Sequence, residues 1–247
     1  MNRLNWQFFL GAALIALSAI LYFIHYAIFK DAHHIFLYLL GDIAFVPIEV
    51  MLVTLIIHRL LSEREKRSML KKLNMVIGTF FSEAGTKLLK LFLEFDASPE
   101  KIQKDLMVTA DWTGQKFSVI SDHLKNYDYR FDSQKGNMAH LQGFLLGKRS
   151  FLLSLLQNPN LLEHESFTDL LWAVFHLTEE LAHRVDVKNL PAADYEHLSG
   201  DIKRMYVLLI SEWLAYMKHL KDDYPYLFSL AVRTNPFNPS ASPVVKT

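Results

Sequence analysis

The stretches FFLGAALIALSAILYFIHYAIF (residues 8–29) and IFLYLLGDIAFVPIEVMLVTLII (residues 35–57) decide the fold. In the first, only Gly11, Ser18 and His25 are neither apolar nor aromatic. In the second, the exceptions are Gly41, Asp42, Pro47, Glu49 and Thr54. Each run exceeds the ~20 residues that cross a ~30 Å hydrocarbon core at ~1.5 Å per residue. A buried core helix is one alternative, but soluble helices seldom stay apolar on every face over such a length. A cleaved signal peptide is another, but its apolar region is only ~7–15 residues and ends at a small-residue site. Here the first run continues straight into Lys30-Asp31-Ala32-His33-His34. The expectation is a two-helix transmembrane hairpin, residues 1–61, with residues 30–34 as its loop.

Orientation follows from the basic flank. Residues 62–72 (SEREKRSMLKK) carry Arg64, Lys66, Arg67, Lys71 and Lys72 against Glu63 and Glu65, and Arg59 stands just before them. The loop offers only Lys30, offset by Asp31. The positive-inside rule then places both termini in the cytoplasm, with the hairpin in the plasma (inner) membrane. A collar of this kind fixes topology and faces anionic lipid. Trp6, Tyr22, Tyr26 and Tyr38 stand near the expected interfaces, where amphipathic rings are favoured.

Asp42 and Glu49 are the most informative charges in the chain. An acid near the centre of a membrane helix costs ~2.5–3.5 kcal/mol on insertion scales. Seven residues is almost two helical turns, so both project from nearly one face. Pro47 lies between them and cannot donate to the carbonyl of Ile43, which predicts a kink or hinge. With Val46 at mid-membrane, Asp42 lies ~6 Å toward the outside and Glu49 ~4–5 Å toward the inside, with His25 ~10 Å outward on the first helix. A His25–Asp42 contact is expected at that depth. Glu49 faces the level of Ile15 to Ser18, which supplies a hydroxyl and no cation. Three readings stay open: Glu49 protonated between helices, placed in an oligomer interface, or lining a polar path for cations. A potassium-type filter is excluded, because no TVGYG-like stretch exists.

Beyond the membrane the pattern is helical. Leu70, Leu73, Ile77, Phe80, Ala84, Leu88, Leu91 and Phe95 recur in steps of three or four. Residues 62–96 thus read as the basic collar and an amphipathic connecting helix, and residues 97–232 as a cytoplasmic helical domain. Ser98-Pro99-Glu100 opens a helix reaching about residue 110. Thr113-Gly114 interrupts, a short helix follows, and residues 126–137 form a loop. Helices are expected over 138–157, 166–184 (opened by the capping box Ser166-Phe-Thr-Asp169) and 194–223, capped by Asp194 and irregular at Ser199-Gly200. Residues 233–247, with Pro236, Pro239 and Pro243, are expected as a disordered tail. No alternating β pattern appears, so the fold class is all-α.

Composition narrows the chemistry. The chain has no cysteine, which excludes disulfides, thiol catalysis and thiolate zinc sites. Lys plus Arg and Asp plus Glu each number 26, so the basic excess of a nucleic-acid binder is missing. There is no GxSxG, HExxH, P-loop or GxGxxG. The one metal-like cluster is His176, Glu179, Glu180 and His183, with the ExxH spacing of bundle di-iron proteins. On a helical wheel Leu170, Leu171, Val174, Leu177 and Leu181 share one face, while His176, Glu180 and His183 lie opposite. The expectation is a solvated stripe and no metal, cofactor or enzyme activity. His33-His34, and the scattered His123, His140, His164, His197 and His219, carry no singular spacing. Tyr206, Trp213, Tyr216, Tyr224, Tyr226 and Phe228 read as packing residues.

The stretches LLGDIAFVPIEVMLVTLIIHRLLSEREK (39–66), KLNMVIGTFFSEAGTKLL (72–89) and NPNLLEHESFTDLLWAVFHLTEEL (158–181) resemble prokaryotic two-span integral membrane proteins of no assigned activity. The resemblance covers most of the chain and implies no site. The leading functional expectation is a homo-oligomer forming a cation-conducting or polar path, with Asp42 and Glu49 along it and His25 tuning the outer acid. Residues 63–95 would couple cytoplasmic rearrangement to that path. The second is a membrane-tethered helical interaction or signalling scaffold, with the hairpin as anchor and a cytoplasmic protein partner.

Overall fold

The computed structural model describes residues 3–159, 161 and 164–245. Within them the protein is helical, with a single isolated bridge between Asp96 and Phe131. It divides into two compact units, Met1–Lys66 and Arg67–Thr247.

The first unit holds α1 (Arg3–Phe29) and the opening of α2 (Ala32–Phe80). The connection is shorter than expected, only Lys30 and Asp31. Lys30 adopts a left-handed conformation (φ 57°), and its N–H donates to the Tyr26 carbonyl at 2.9 Å. Asp31 Oδ1 then accepts the His34 N–H at 3.2 Å, the geometry of a helix N-cap. An aspartate able to cap at once starts the helix three residues before the apolar run does. Pro47 sits inside α2 without interrupting it. Two helices, Phe8–Phe29 and Ala32–Glu65, are long and apolar enough to cross a membrane, and none of their hydrophobic windows is buried. Apart from its chain neighbours and the helix's own backbone, no described atom lies within 4 Å of where a Cβ on Gly11 or Gly41 would stand.

The second unit holds the core. Its part of α2 buries Leu73, Ile77 and Phe80, and α3 (Thr86–Leu93) buries Leu88, Leu89, Leu91 and Phe92. Between them Phe81–Gly85 forms a π-helical turn, in which the Thr86 N–H donates to the Phe81 carbonyl. The wider turn brings Phe81 into the core beside Phe80. Phe81 stacks on Tyr216 at 5.1 Å, and Phe80 meets Phe167 edge-on at 5.4 Å. Gly85 is required there: a Cβ would stand 2.6 Å from Phe81 and 2.8 Å from Phe80.

The remaining helices are α4 (Pro99–Asp105), α5 (Gly114–Lys125), α6 (Met138–Leu156), α7 (Glu165–Ala182), α8 (Ala192–Asp223) and α9 (Pro225–Arg233). The long α8 packs against α3, α5, α7 and α9, while α6 packs on α7. Tyr206 of α8 is fully buried among Phe92, Tyr129 and Phe131, with edge-on ring contacts of 5.0–6.0 Å.

Several boundaries differ from expectation for local reasons. The helix opened by Pro99 ends at Asp105, short of residue 110, and the expected short helix α5 follows the break, its first turn capped by the Thr113 hydroxyl, which accepts the Lys116 N–H. The cap of α7 is His164, whose Nδ1 accepts the Phe167 N–H at 3.3 Å, so no capping box at Ser166 is used. Pro191 precedes α8, and Asp194 lies in its first turn. The helix runs unbroken through Ser199-Gly200. Pro225 starts α9, which the sequence reading omitted.

The expected disordered tail is also corrected. Asn235 and Phe237 are buried, and Phe237 packs on Trp213 at 5.0 Å. Asn235 Nδ2 donates to the Leu106 carbonyl at 2.9 Å, while its Oδ1 accepts the Phe237 N–H at 2.9 Å. Proline content marks a non-helical path, but one aromatic anchor and one Asx turn suffice to dock it. Residues 246–247 lie outside the described residues.

Candidate functional site

The hairpin residues singled out above are separate in space or open. Asp42 and Glu49 are exposed, and among the described residues neither makes a hydrogen bond or ion pair. The expected His25–Asp42 contact is not formed. His25 instead stacks with His34 at 5.9 Å and meets Phe29 at 4.8 Å, and its Nε2 is buried without a partner. The two-residue loop is the cause: it raises α2 early, so His34 arrives level with His25. Asp42 is then eight residues further along, ~12 Å. In the collar, Arg59 pairs with Glu63 at 3.5 Å, while Arg64 and Lys72 are exposed. The side chains of Lys66, Arg67 and Lys71 lie outside the described residues.

The densest polar cluster joins α7 to α8. Arg184, just past the end of α7, grips Asp194 with two hydrogen bonds, Nε–Oδ2 at 2.8 Å and Nη2–Oδ1 at 2.6 Å. Its Nη1 also donates to Glu180 Oε2 at 2.7 Å. This double grip holds both the Asp194 and Glu180 carboxyls below the usual carboxylate range and raises the Arg184 guanidinium. One turn deeper, His197 Nε2 lies 3.6 Å from Glu180 Oε2 and 3.3 Å from Asp201 Oδ2. His176 Nε2 lies 3.5 Å from the same Asp201 oxygen and 4.0 Å from Glu180 Oε1. Arg204 Nη1 donates to the other Asp201 oxygen at 3.1 Å.

His176 and Glu180 are thus brought together, but His183 is not with them: its Nδ1 donates to the Glu179 carbonyl at 2.7 Å. The stripe is only half solvated, because α8 lies over one edge of it and inserts Asp201, whose side chain is 4% exposed. Sequence reasoning misses Asp201 and sets His197 aside as one of the scattered histidines. The signal available was their four-residue spacing, which mirrors His176 and Glu180 and places one His and one acid on each of two consecutive helices.

The grip on Arg184 has a measurable consequence. Replacing Arg184 with Met leaves two carboxylates without their donor, and the expected loss near neutral pH is ~1.5–3 kcal/mol. Depressed carboxyl pKa values contribute stability that is fully present above the ordinary carboxylate range. It is lost as pH falls through the depressed values. Urea unfolding followed against pH should therefore show a flatter acid limb in Arg184→Met than in the parent.

The clefts of the second unit include the following two. One, about 560 Å³, is lined by Asn74, Gly78, Tyr216, His219, Tyr224 and Leu227 among others. His219 Nδ1 there stands 3.2 Å from Asn74 Nδ2 and 2.8 Å from Asp223. The other, about 720 Å³, lies between the loops at Ser133–Asn137 and Val187–Leu190.

Comparison with known proteins divides the chain where its structure does. Residues 2–61 match the family model "MJ1433, N-terminal helical domain", and residues 69–233 match "Uncharacterized protein MJ1433, C-terminal helical domain". The Methanocaldococcus jannaschii protein described as "Uncharacterized protein MJ1433" is 47% identical over 238 residues, covering 96% of each chain. No solved structure matches.

Proposed function

We propose that this chain, which belongs to the MJ1433 family, is a membrane-anchored helical domain: the hairpin is the anchor and Arg67–Thr247 is the working part. The observation that carries this reading is the distribution of burial. Every buried hydrophobic residue among those described lies between Leu73 and Phe237, while the hairpin exposes apolar side chains on all faces. A segment with no core of its own is stable in water only at great cost, and lipid removes that cost. The basic collar supports a cytoplasmic domain. The docked α8 with its flanking clefts and polar cluster supports binding of a ligand or a cytoplasmic protein.

One observation favours the second reading, a homo-oligomeric polar path. Asp42 and Glu49 are unpaired within the described residues, so lipid, water or another copy must accommodate them. Ion flux in reconstituted liposomes separates the two. The anchor reading expects flux at the lipid-only background for both the parent and the Asp42→Asn/Glu49→Gln variant. Parent flux that the double variant abolishes would replace the anchor reading with the polar path.

A further inference from the structure

We propose that His176, Glu180, His197 and Asp201 form a binding site for one divalent first-row transition metal ion between α7 and α8. The inference does not depend on what the hairpin does. The pairing is crossed, as adjacent antiparallel helices require: His176 meets Asp201, and Glu180 meets His197. Four donors at ~2.0–2.1 Å from a tetrahedral ion stand ~3.3–3.4 Å from one another. Asp201 Oδ2 stands 3.3 Å from His197 Nε2 and 3.5 Å from His176 Nε2, close to that spacing, while Glu180 is wider, with Oε2 3.6 Å from His197 and Oε1 4.0 Å from His176.

The second observation is Asp201 itself. Its Oδ2 is buried, faces both imidazole Nε2 atoms, and makes no hydrogen bond among the described residues. An unpartnered buried carboxylate oxygen is costly, and a cation shared with two imidazoles relieves that cost. Arg204 holds the other Asp201 oxygen, the outer-shell orientation expected around a ligating carboxylate. The charges also fit. Glu180, Asp194 and Asp201 against Arg184 and Arg204 leave one net negative charge, which a dication more than offsets.

Among the described residues no three or more His, Asp or Glu side chains are placed, as they stand, to hold a metal ion, so the site forms only by closing around one. That closure would bring in the Glu180 carboxylate through Oε1, which Arg184 does not hold and which stands 4.0 Å from His176 Nε2. The histidine side chains are about half exposed, so the ion has access, and water can complete its shell. Two imidazoles with two carboxylates and no thiolate suit zinc, iron or manganese better than copper(I).

The test uses the full chain in detergent, stripped with a chelator and titrated with Zn²⁺ against a chromophoric competitor. The expected result is one tight Zn²⁺ per chain, with Co²⁺ giving tetrahedral visible absorption. Asp201→Asn and His197→Ala should each weaken Zn²⁺ by more than the ~10–100-fold of a lost outer-shell partner, and Arg204→Ala by ~10-fold. His183→Ala and the His33→Ala/His34→Ala pair should leave it unchanged. If Asp201→Asn does not fold by circular dichroism, His176→Gln, at a half-exposed position, takes its place with the same expected loss. Absence of stoichiometric Zn²⁺ overturns the proposal. So does binding that survives the α8 variants, or binding lost only with the loop histidines.

Discussion

Phe237→Ala lowers the unfolding free energy of the helical domain by ~3–5 kcal/mol, the usual cost of truncating a fully buried phenylalanine. The position lies in a segment whose composition suggests disorder, so the size of the effect is diagnostic. Phe237 is 0% exposed and packs against Trp213, itself buried on α8. Truncation removes the ring's apolar burial and leaves a cavity beside Trp213, and both terms act in the same direction. Asn235 pins the approach by bridging to the Leu106 carbonyl, so the backbone there has little freedom to collapse inward. Against a total stability of ~5–15 kcal/mol, a loss of this size is a large share. Val245→Ala, at a 71% exposed position in the same tail, should stay within ~0.5 kcal/mol. Urea unfolding monitored at the helical circular-dichroism signal measures both. A Phe237→Ala effect no larger than that of Val245→Ala would mean the tail does not dock.

Residues 67–247, expressed without the hairpin, fold in detergent-free buffer and unfold in one cooperative transition. The core residues of the second unit are supplied from within it, from Leu73 to Phe237. A domain of this length buries ~70% of the surface its unfolded chain exposes, enough for independent stability. Its exposed large apolar residues, such as Met75, Val119, Trp172 and Tyr226, are scattered along the chain, as is normal on a soluble surface. The same cannot be said of residues 8–57, where Phe8, Ile15, Phe23, Phe36, Leu40 and Leu55 are all more than half exposed. Calorimetry and size-exclusion chromatography of the fragment provide the check. A fragment that melts without cooperativity, or elutes only as aggregate, would show that the hairpin is part of the folding unit.

Much of this architecture was legible from spacing alone. Unbroken apolar runs mark the two long hairpin helices, and the three-and-four pattern from Leu73 to Phe95 is the buried face of α2 and α3. The π-helical turn at Phe81–Gly85 was not legible, because a one-residue widening leaves the apolar steps almost intact. The hairpin loop was misjudged because apolarity locates where a membrane span begins, whereas the helix begins at its cap, Asp31. The tail was misjudged because proline content reports backbone form and says nothing of a single buried ring.

The cluster at Asp201 shows a different boundary. The wheel for α7 placed His176 and Glu180 away from the apolar face, and they do lie away from it. What one helix cannot reveal is that its neighbour overlaps the edge of that polar face. His197 and Asp201 appear ordinary on α8 until the antiparallel register sets them against α7. Chemistry shared between helices becomes visible only in the pair.

The central claim is that an apolar hairpin holds an independently folded helical domain to a membrane. Alkaline carbonate extraction of membranes from cells expressing the full chain, beside cells expressing residues 67–247, tests it most directly. The predicted result is full chain retained in the membrane pellet and released only by detergent, with the shorter chain entirely in the supernatant. Full chain released by carbonate alone would contradict the account.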